Sequence, residues 1–290
     1  MSRPYRGRFA PSPTGELHFG SLLAAMASYL RARESGGVWL VRMEDLDPPR
    51  EVPGAAEAII RALQRFGLNS DEPIVFQSKR HELYQQALEQ LLAQDKAFWC
   101  GCTRKMLPAD GVYPGTCAQG IPEGRQPRSV RFRIPADPVC FDDWLQGRHC
   151  MNLAEACGDF IIRRGDGLFA YQLAVVVDDA AQAISEVVRG IDLIDSTPRQ
   201  IALYRALGHP SPEWLHLPVA VNELGRKLSK QTFARAISHD DPLTVLPTAW
   251  AFLGQAPMQR PVSLADFWRQ AEQHWSSERI PRCQNIPFED

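Results

Sequence analysis

Residues 8–21 read RFAPSPTGELHFGS. Arg8–Phe9 are strand-like, and Pro11, Pro13 and Gly15 punctuate a turn. From Ser21 the apolar positions Leu22, Leu23, Met26, Tyr29 and Leu30 recur at helical spacing until Gly36-Gly37 ends the run. A turn feeding a helix N-terminus presents free backbone N–H groups and the positive end of the helix dipole, a setting that suits phosphate. The string is neither the glycine-rich fingerprint of dinucleotide binders nor the lysine-bearing P-loop. It offers His18, able to donate a hydrogen bond to a phosphate oxygen as charge builds up there. Gly20 and Ser21 follow, with little bulk, so that a flat ring has room against the backbone.

Working outward, VWLVRM at Val38–Met43 reads as a buried strand running into Glu44-Asp45-Leu46-Asp47. Carboxylates at the carboxyl end of a parallel strand sit where open α/β sheets bind ligands, so Glu44 is placed to meet a substrate ammonium group. Ala55–Phe66 is an amphipathic helix, Val75–Ser78 a short strand, and Arg80–Gln94 a long helix with Leu83, Tyr84, Ala87, Leu88, Leu91 and Leu92 on one face. This alternation predicts a doubly wound parallel sheet. After a break, the pattern resumes at Asp159–Arg164. Val175–Asp179 reads as a strand ending in carboxylates and Glu186–Gly190 as another. Ser196-Thr197-Pro198 then opens a helix with a hydroxyl cap. Leu217–Val221 is strand-like, and residues 232–290 read as helical.

The break, residues 96–157, is rich in Gly, Pro and Arg and reads as an insertion. Cys100, Cys102 and Cys117 cluster within it, with Tyr113 between them, a loop-rich spacing that suits a structural zinc site. The residues alone leave the fourth ligand open among Tyr113, His149, Cys140 and Cys150, and three unrelated buried thiols are the plain alternative. Arg125, Arg128, Arg131 and Arg133 follow, a set that suits either an RNA backbone or a solvated hairpin.

The 290 residues are 44% apolar and 23% charged, with a net charge of −2, so any nucleic acid contact must come from a local basic face. No apolar run approaches the roughly twenty residues of a membrane span, and no secretion signal opens the chain. Seven cysteines, an odd number, do not suggest a disulfide framework, so a reducing cytoplasm is the expected compartment.

The quoted stretch closely resembles the first signature of class I aminoacyl-tRNA synthetases in its glutamyl form, with His18-Phe19-Gly20-Ser21 in the signature's place and Ser21 where a second histidine is usual. RMEDLD at residues 42–47 resembles that group's next pattern. YQLAVVVDD at residues 171–179 and RGIDLIDSTPRQ at residues 189–200 resemble the second half of its catalytic domain. Val175 stands where full-length members usually carry asparagine, a difference that bears on amino-acid contacts. Lys227-Leu228-Ser229-Lys230-Gln231 resembles the second class I signature.

The resemblance implies an α/β fold, a class I synthetase Rossmann-type parallel sheet with a zinc-bearing insertion and a small α-helical C-terminal domain. Residues 1–95 and 158–208 are then the halves of the catalytic domain. Residues 96–157 are the insertion, and 209–290 a stem-contact-like domain holding the KLSKQ loop. It also implies that Arg8, Ala10, Ser12, Glu44, Tyr171 and Arg189 bind L-glutamate. His18, Gly20, Ser21, Lys227 and Lys230 would bind ATP with its Mg2+, with His18 and Lys230 catalytic. Cys100, Cys102, Tyr113 and Cys117 would hold one structural Zn2+. Residues 232–290 leave no room for the anticodon-reading module of full-length members. With the variant signatures, the chain resembles a shortened group that places glutamate on queuosine in the anticodon arm of tRNA(Asp), and a monomer is expected. The rival readings are an ordinary glutamyl enzyme acting on the tRNA 3′ end, a non-catalytic RNA binder, and an adenylate-forming enzyme serving a non-RNA acceptor.

Overall fold

The computed structural model describes residues 4–222 and 236–288. The quoted stretch begins in β1 (Arg6–Phe9), crosses the Pro/Gly turn, and enters α1 (Phe19–Glu34). α1 leads to β2 (Val38–Met43), which pairs parallel with β1 in the register Arg8 to Leu40. α2 (Ala55–Arg65) ends at Phe66 and Gly67, and β3 (Val75–Phe76) pairs parallel with β2. Gly67 has φ +78°, and a Cβ there would lie 2.6 Å from the indole nitrogen of Trp268, so chain conformation and packing both require glycine. α3 (His81–Ala93) follows.

Next come β4 (Ala97–Cys100) and β5 (Ser129–Phe132), which are antiparallel partners. The hairpin of β6 (Val139–Asp143) and β7 (Gly147–Met151) carries the one disulfide among the described residues. It joins Cys140 to Cys150, which face each other across the two strands and are thereby withdrawn as metal ligands. The sequence spacing gave no signal of this pair. After a short α4 (Leu153–Ala156), β8 (Phe160–Arg163) pairs antiparallel with β5.

α5 (Tyr171–Ala181) corrects one expectation, for Val175–Asp179 is helical and not a strand. Three consecutive valines favour a strand by intrinsic preference. Here Leu173 through Asp179 are all buried, so packing on every side of the helix overrides that preference. Val175 lies in the core and not on the cavity described below.

β9 (Glu186–Gly190) and α6 (Thr197–Leu207) follow. Ser196 stands at the N-cap of α6, but its hydroxyl makes no capping bond and accepts from Gln172 Nε2 at 3.1 Å instead. β10 (Glu213–Leu217) lies parallel between β9 and β6, and the short β11 (Val219–Val221) comes next. The strand expected at 217–221 is therefore two strands, broken at Pro218, which has no N–H to give a ladder.

β9 starts beside β1, where the Ser185 amide donates to the Arg6 carbonyl at 2.9 Å and the Arg6 amide donates to Ser185 Oγ at 2.8 Å. The strands thus run outward from β1 and β9 in opposite directions, to β2 and β3 on one side and to β10 and β6 on the other. Ligand sites of open α/β sheets form at such a reversal, outside the carboxyl ends of the strands. α7 (Pro242–Phe252) and α8 (Leu264–His274) pack onto α1 in one core with Phe19, Tyr29 and Trp39, and β12 (Asn285–Pro287) pairs with β11. No helix among the described residues is long and apolar enough to cross a membrane.

Candidate active site

At that reversal a cavity of about 520 Å3 opens. Arg8, Ala10, Ser12, Glu44, Tyr171 and Arg189 line it together with His18, Gly20 and Ser21. Lys227 and Lys230 lie outside the described residues. The residues flanking that string do reach the cavity. Val219 and Ala220 are in its wall, and Ala236 bridges His18 while the Ile237 amide donates to the Leu17 carbonyl at 3.1 Å.

His18 is the N-cap of α1. Its Nδ1 accepts from the Ser21 amide at 3.2 Å, which assigns the proton of the neutral ring to Nε2, and Nε2 lies 3.1 Å from Ser21 Oγ. Ser21 therefore orients the histidine. Two arginines then divide the cavity's charge. Arg8 donates to both oxygens of Asp179, at 3.2 and 3.3 Å, so its charge is shared with a buried carboxylate. Arg189 makes no ion pair among the described residues. Its partners are neutral or uncharged acceptors: Nε donates to His216 Nε2 at 3.0 Å, Nη2 to Thr197 Oγ1 at 2.7 Å and to the Leu193 carbonyl, and Nη1 to Tyr171 at 3.5 Å.

Burial drives His216 down to about 4 against the pull of Asp143, and the nearby Arg189 charge adds to the fall. The ring is therefore neutral, with Nδ1 donating to Asp143 Oδ2 at 2.6 Å and Nε2 left to accept from Arg189. The chain Asp143–His216–Arg189 fixes the guanidinium. Burial also lowers the Arg189 pKa, and the neighbouring Arg8 charge adds to the fall against the pull of Tyr171 and Asp179.

Glu44 stands opposite. Burial pushes its carboxyl up to about 7, against Arg42 and Arg8, which pull it down. Arg42 is fully buried behind the cavity. Nη1 donates to Asp179 at 2.7 Å and Gln182 at 2.8 Å, Nη2 reaches Glu44 at 3.4 Å, and Nε lies 3.7 Å from Asp178. The cavity thus brings together Arg189, which has no ion pair among the described residues, Arg8 shared with Asp179, the Glu44 carboxylate and a histidine at a helix N-terminus, and Glu16 and Asp192 also line it. That set matches a substrate with two carboxylates and an ammonium lying beside a phosphate chain.

A second cluster lies in the β4–β5 sheet region. Cys100, Cys102 and Cys117 bring their sulfurs within 4.8 Å of one another, the one such group of metal-capable ligands among the described residues. Cys102 and Cys117 Sγ are 3.7 Å apart, close to the ~3.8 Å expected of two thiolates sharing one tetrahedral zinc with bonds of about 2.3 Å. The Tyr113 hydroxyl lies 3.6 Å from Cys100 Sγ and accepts from the Cys117 amide at 2.8 Å. His149 is on the β6–β7 hairpin, stacked on Phe141, and is not part of the cluster. The residues present therefore fit a structural metal with three sulfurs and a phenol oxygen.

The family model for the catalytic domain of class I tRNA synthetases (E and Q) matches residues 5–110 and 118–250. The glutamyl-Q tRNA(Asp) synthetase of Chromobacterium violaceum is 54% identical over 96% of this chain and 95% of its own length. That of Dechloromonas aromatica is 53% identical, over 97% of each. The chain belongs to the glutamyl-Q tRNA(Asp) synthetase family of class I tRNA synthetases. The crystal structure of glutamate-tRNA synthetase from Elizabethkingia anophelis superposes with a TM-score of 0.82 at 25% identity, covering 99% of this chain and 68% of that one.

In this class I synthetase several residues that shape the site escaped the reading by sequence. Arg42 had a visible signal, a lone charge inside the apolar run VWLVRM. His216 had a similar one in EWLHL, but no local pattern links it to Asp143, which is 73 residues away. Of the four arginines that follow the cysteines, Arg131 is buried, stacks on the Tyr113 ring at 3.7 Å and points Nε at Cys100 Sγ at 3.4 Å. Arg125 reaches Cys102 Sγ at 3.6 Å, so two of the four face the thiol cluster.

Proposed function

We propose that this chain activates L-glutamate with ATP and transfers the glutamyl group to queuosine in the anticodon arm of tRNA(Asp). The observation that supports it best is the single cavity where Arg8, Glu44 and Arg189 meet the His18 turn, in a chain that matches nearly the whole length of proteins named for this acceptor. Arg189 grips a substrate carboxylate, because it is the cavity's guanidinium with no ion pair among the described residues. Arg8, Tyr171 and the turn residues Ala10 and Ser12 complete the glutamate site, and Glu44 answers the ammonium. The adenine ring lies over Gly20 and Ser21, and His18 with Lys227 and Lys230 neutralises the phosphates of ATP, which arrives with Mg2+. An oxygen of the glutamate α-carboxylate attacks the α-phosphorus, the bond to the β-phosphate breaks, and pyrophosphate leaves. Positioning and charge stabilisation carry the step, with no side-chain nucleophile. All of these groups come from one chain, so a monomer suffices, and its tRNA substrate places the reaction in the cytoplasm.

The test offers labelled glutamate and ATP with tRNA from cells that make queuosine and from cells that do not. Label is expected on the anticodon loop of queuosine-containing tRNA(Asp) alone. Label on the 3′ terminus of tRNA(Glu) would establish an ordinary glutamyl enzyme instead.

The Glu44 carboxyl gives a pH expectation. With its pKa near 7, it is neutral below that pH and ionised above it. Only the ionised form attracts the substrate ammonium. The kcat/KM for glutamate in pyrophosphate exchange should rise through pH 7 and then level off. A profile flat between pH 6 and 8 would remove Glu44 from this role.

The thiol cluster supports one structural Zn2+ held by Cys100, Cys102, Tyr113 and Cys117, which would brace the insertion and supply no catalytic chemistry. Cys102→Ser is expected to lower the metal content from about one zinc per chain and to speed proteolysis within residues 96–157. Metal-free parent protein with the same digestion pattern as the variant would exclude the site.

A further inference from the structure

Arg131, in β5, is 5% exposed, the one buried arginine of the insertion. A buried cation is costly without an anion, and no carboxylate among the described residues pairs with this one. Its Nη1 donates to the Asp159 carbonyl at 2.6 Å, its guanidinium carbon lies 3.7 Å from the centre of the Tyr113 ring, and its Nε donates to Cys100 Sγ at 3.4 Å. The same sulfur accepts from the Cys102 amide at 3.4 Å. A neutral thiol is a weak acceptor, so two N–H donors aimed at one sulfur suit a thiolate. The backbone of Tyr113 is pinned as well. Its amide donates to the Cys157 carbonyl at 3.1 Å, and a Cβ on Gly158, where φ is +66°, would lie 2.4 Å from the Tyr113 carbonyl oxygen. Arg125 brings a second guanidinium to Cys102 Sγ at 3.6 Å, from a half-buried position.

Resting on the zinc reading above, we propose that Arg131 is the counter-cation of the metal centre and the residue that positions Tyr113 as its fourth ligand. Three thiolates around a divalent ion leave one negative charge when the phenol is neutral. One buried guanidinium cancels that charge, which would otherwise stand uncompensated in the interior. A planar guanidinium can lie on the Tyr113 ring while its edge donates to Cys100, so it fixes the direction of the phenol oxygen relative to the sulfur. The bond from Nη1 to the Asp159 carbonyl ties this arrangement to the residues just before β8. Arg125 also faces the centre, but solvent screens a half-buried charge, so its share is smaller. Groups that hydrogen-bond a metal's ligands typically carry about 10–100-fold of the metal affinity.

The test is the affinity of the full chain for Zn2+, read by competition with a chromogenic chelator, in the parent and in Arg131→Met, Arg131→Lys and Arg125→Met. Arg131→Met should bind at least about tenfold more weakly than the parent. Arg131→Lys keeps the charge and loses the stacked plane, so it should fall between the two. Arg125→Met should stay within about threefold of the parent. Thermal unfolding with and without Zn2+ separates a role toward the metal from a merely structural one. The gap in midpoint between Arg131→Met and the parent should be wider in the loaded proteins than in the metal-free ones. Parental zinc affinity in either Arg131 variant, a larger loss in Arg125→Met than in Arg131→Met, or a midpoint gap of equal size with and without metal would overturn the role of Arg131 and leave the zinc reading in place. If Arg131→Met does not fold, the affinity of Arg131→Lys decides alone. A parent that binds no Zn2+ would overturn the zinc reading, and this inference with it.

Discussion

Replacing Arg42 with methionine should destabilise the protein by about 3–5 kcal/mol, the range for removing one partner from a buried ion cluster. Arg42 is fully buried and faces three carboxylates, Asp179 at 2.7 Å, Glu44 at 3.4 Å and Asp178 at 3.7 Å. Without it, Asp178 keeps Arg80 at 2.6 Å and the Tyr84 hydroxyl at 2.8 Å, and Asp179 keeps Arg8. Glu44 keeps no ion pair among the described residues, and its carboxyl, already raised by burial, would rise further. The variant should therefore lose glutamate activation as well as stability, because a neutral Glu44 no longer attracts the ammonium. Against a typical total of about 5–15 kcal/mol, the stability loss alone is large. Urea unfolding of parent and variant measures it. Arg42→Lys should fall between them, since a compact ammonium does not span three carboxylates as a guanidinium does. A midpoint for Arg42→Met equal to the parent's would mean that the cluster does not need its cation.

Arg189→Gln should behave in the opposite way. It is another buried arginine, yet no carboxylate among the described residues pairs with it, so removing its charge relieves a desolvation cost and strands no anion. Stability should hold or rise. Glutamate activation should fall roughly a hundredfold in kcat/KM, because a charge-assisted contact to substrate is worth about 1.5–3 kcal/mol. The loss should lie mainly in KM, since the carboxylate that Arg189 holds does not react. The measurement is pyrophosphate exchange against glutamate concentration, with unfolding followed in parallel. An unchanged glutamate requirement would show that another group reads the carboxylate. A variant that unfolds easily would show that Arg189 is structural, as Arg42 is.

The fold was legible wherever a local pattern carried it. The Pro/Gly turn between β1 and α1 and the strand Val38–Met43 needed only nearby residues. The helices at Ala55–Arg65 and His81–Ala93 likewise followed from spacing. Where burial on all sides replaced a one-sided pattern, as in α5, the valine run misled, because intrinsic preference is weak beside packing.

The candidate site divides along the same line. The sequence by itself determined which residue types stand at the strand ends and the helix start: Arg8, His18, Gly20, Glu44, Tyr171 and Arg189. Those positions lie in continuous strings that resemble the signatures of class I synthetases, and that resemblance is what singled out Arg8, Tyr171 and Arg189. Only the tertiary structure decided what each charge does. It set Arg8 against Asp179, 171 residues away, and Arg189 against a histidine held neutral by burial. It placed Arg42 among three carboxylates. The physical reason is that a side chain's charge is fixed by its residue type, whereas its partner, its solvation and hence its pKa are set by elements that meet only when the sheet assembles.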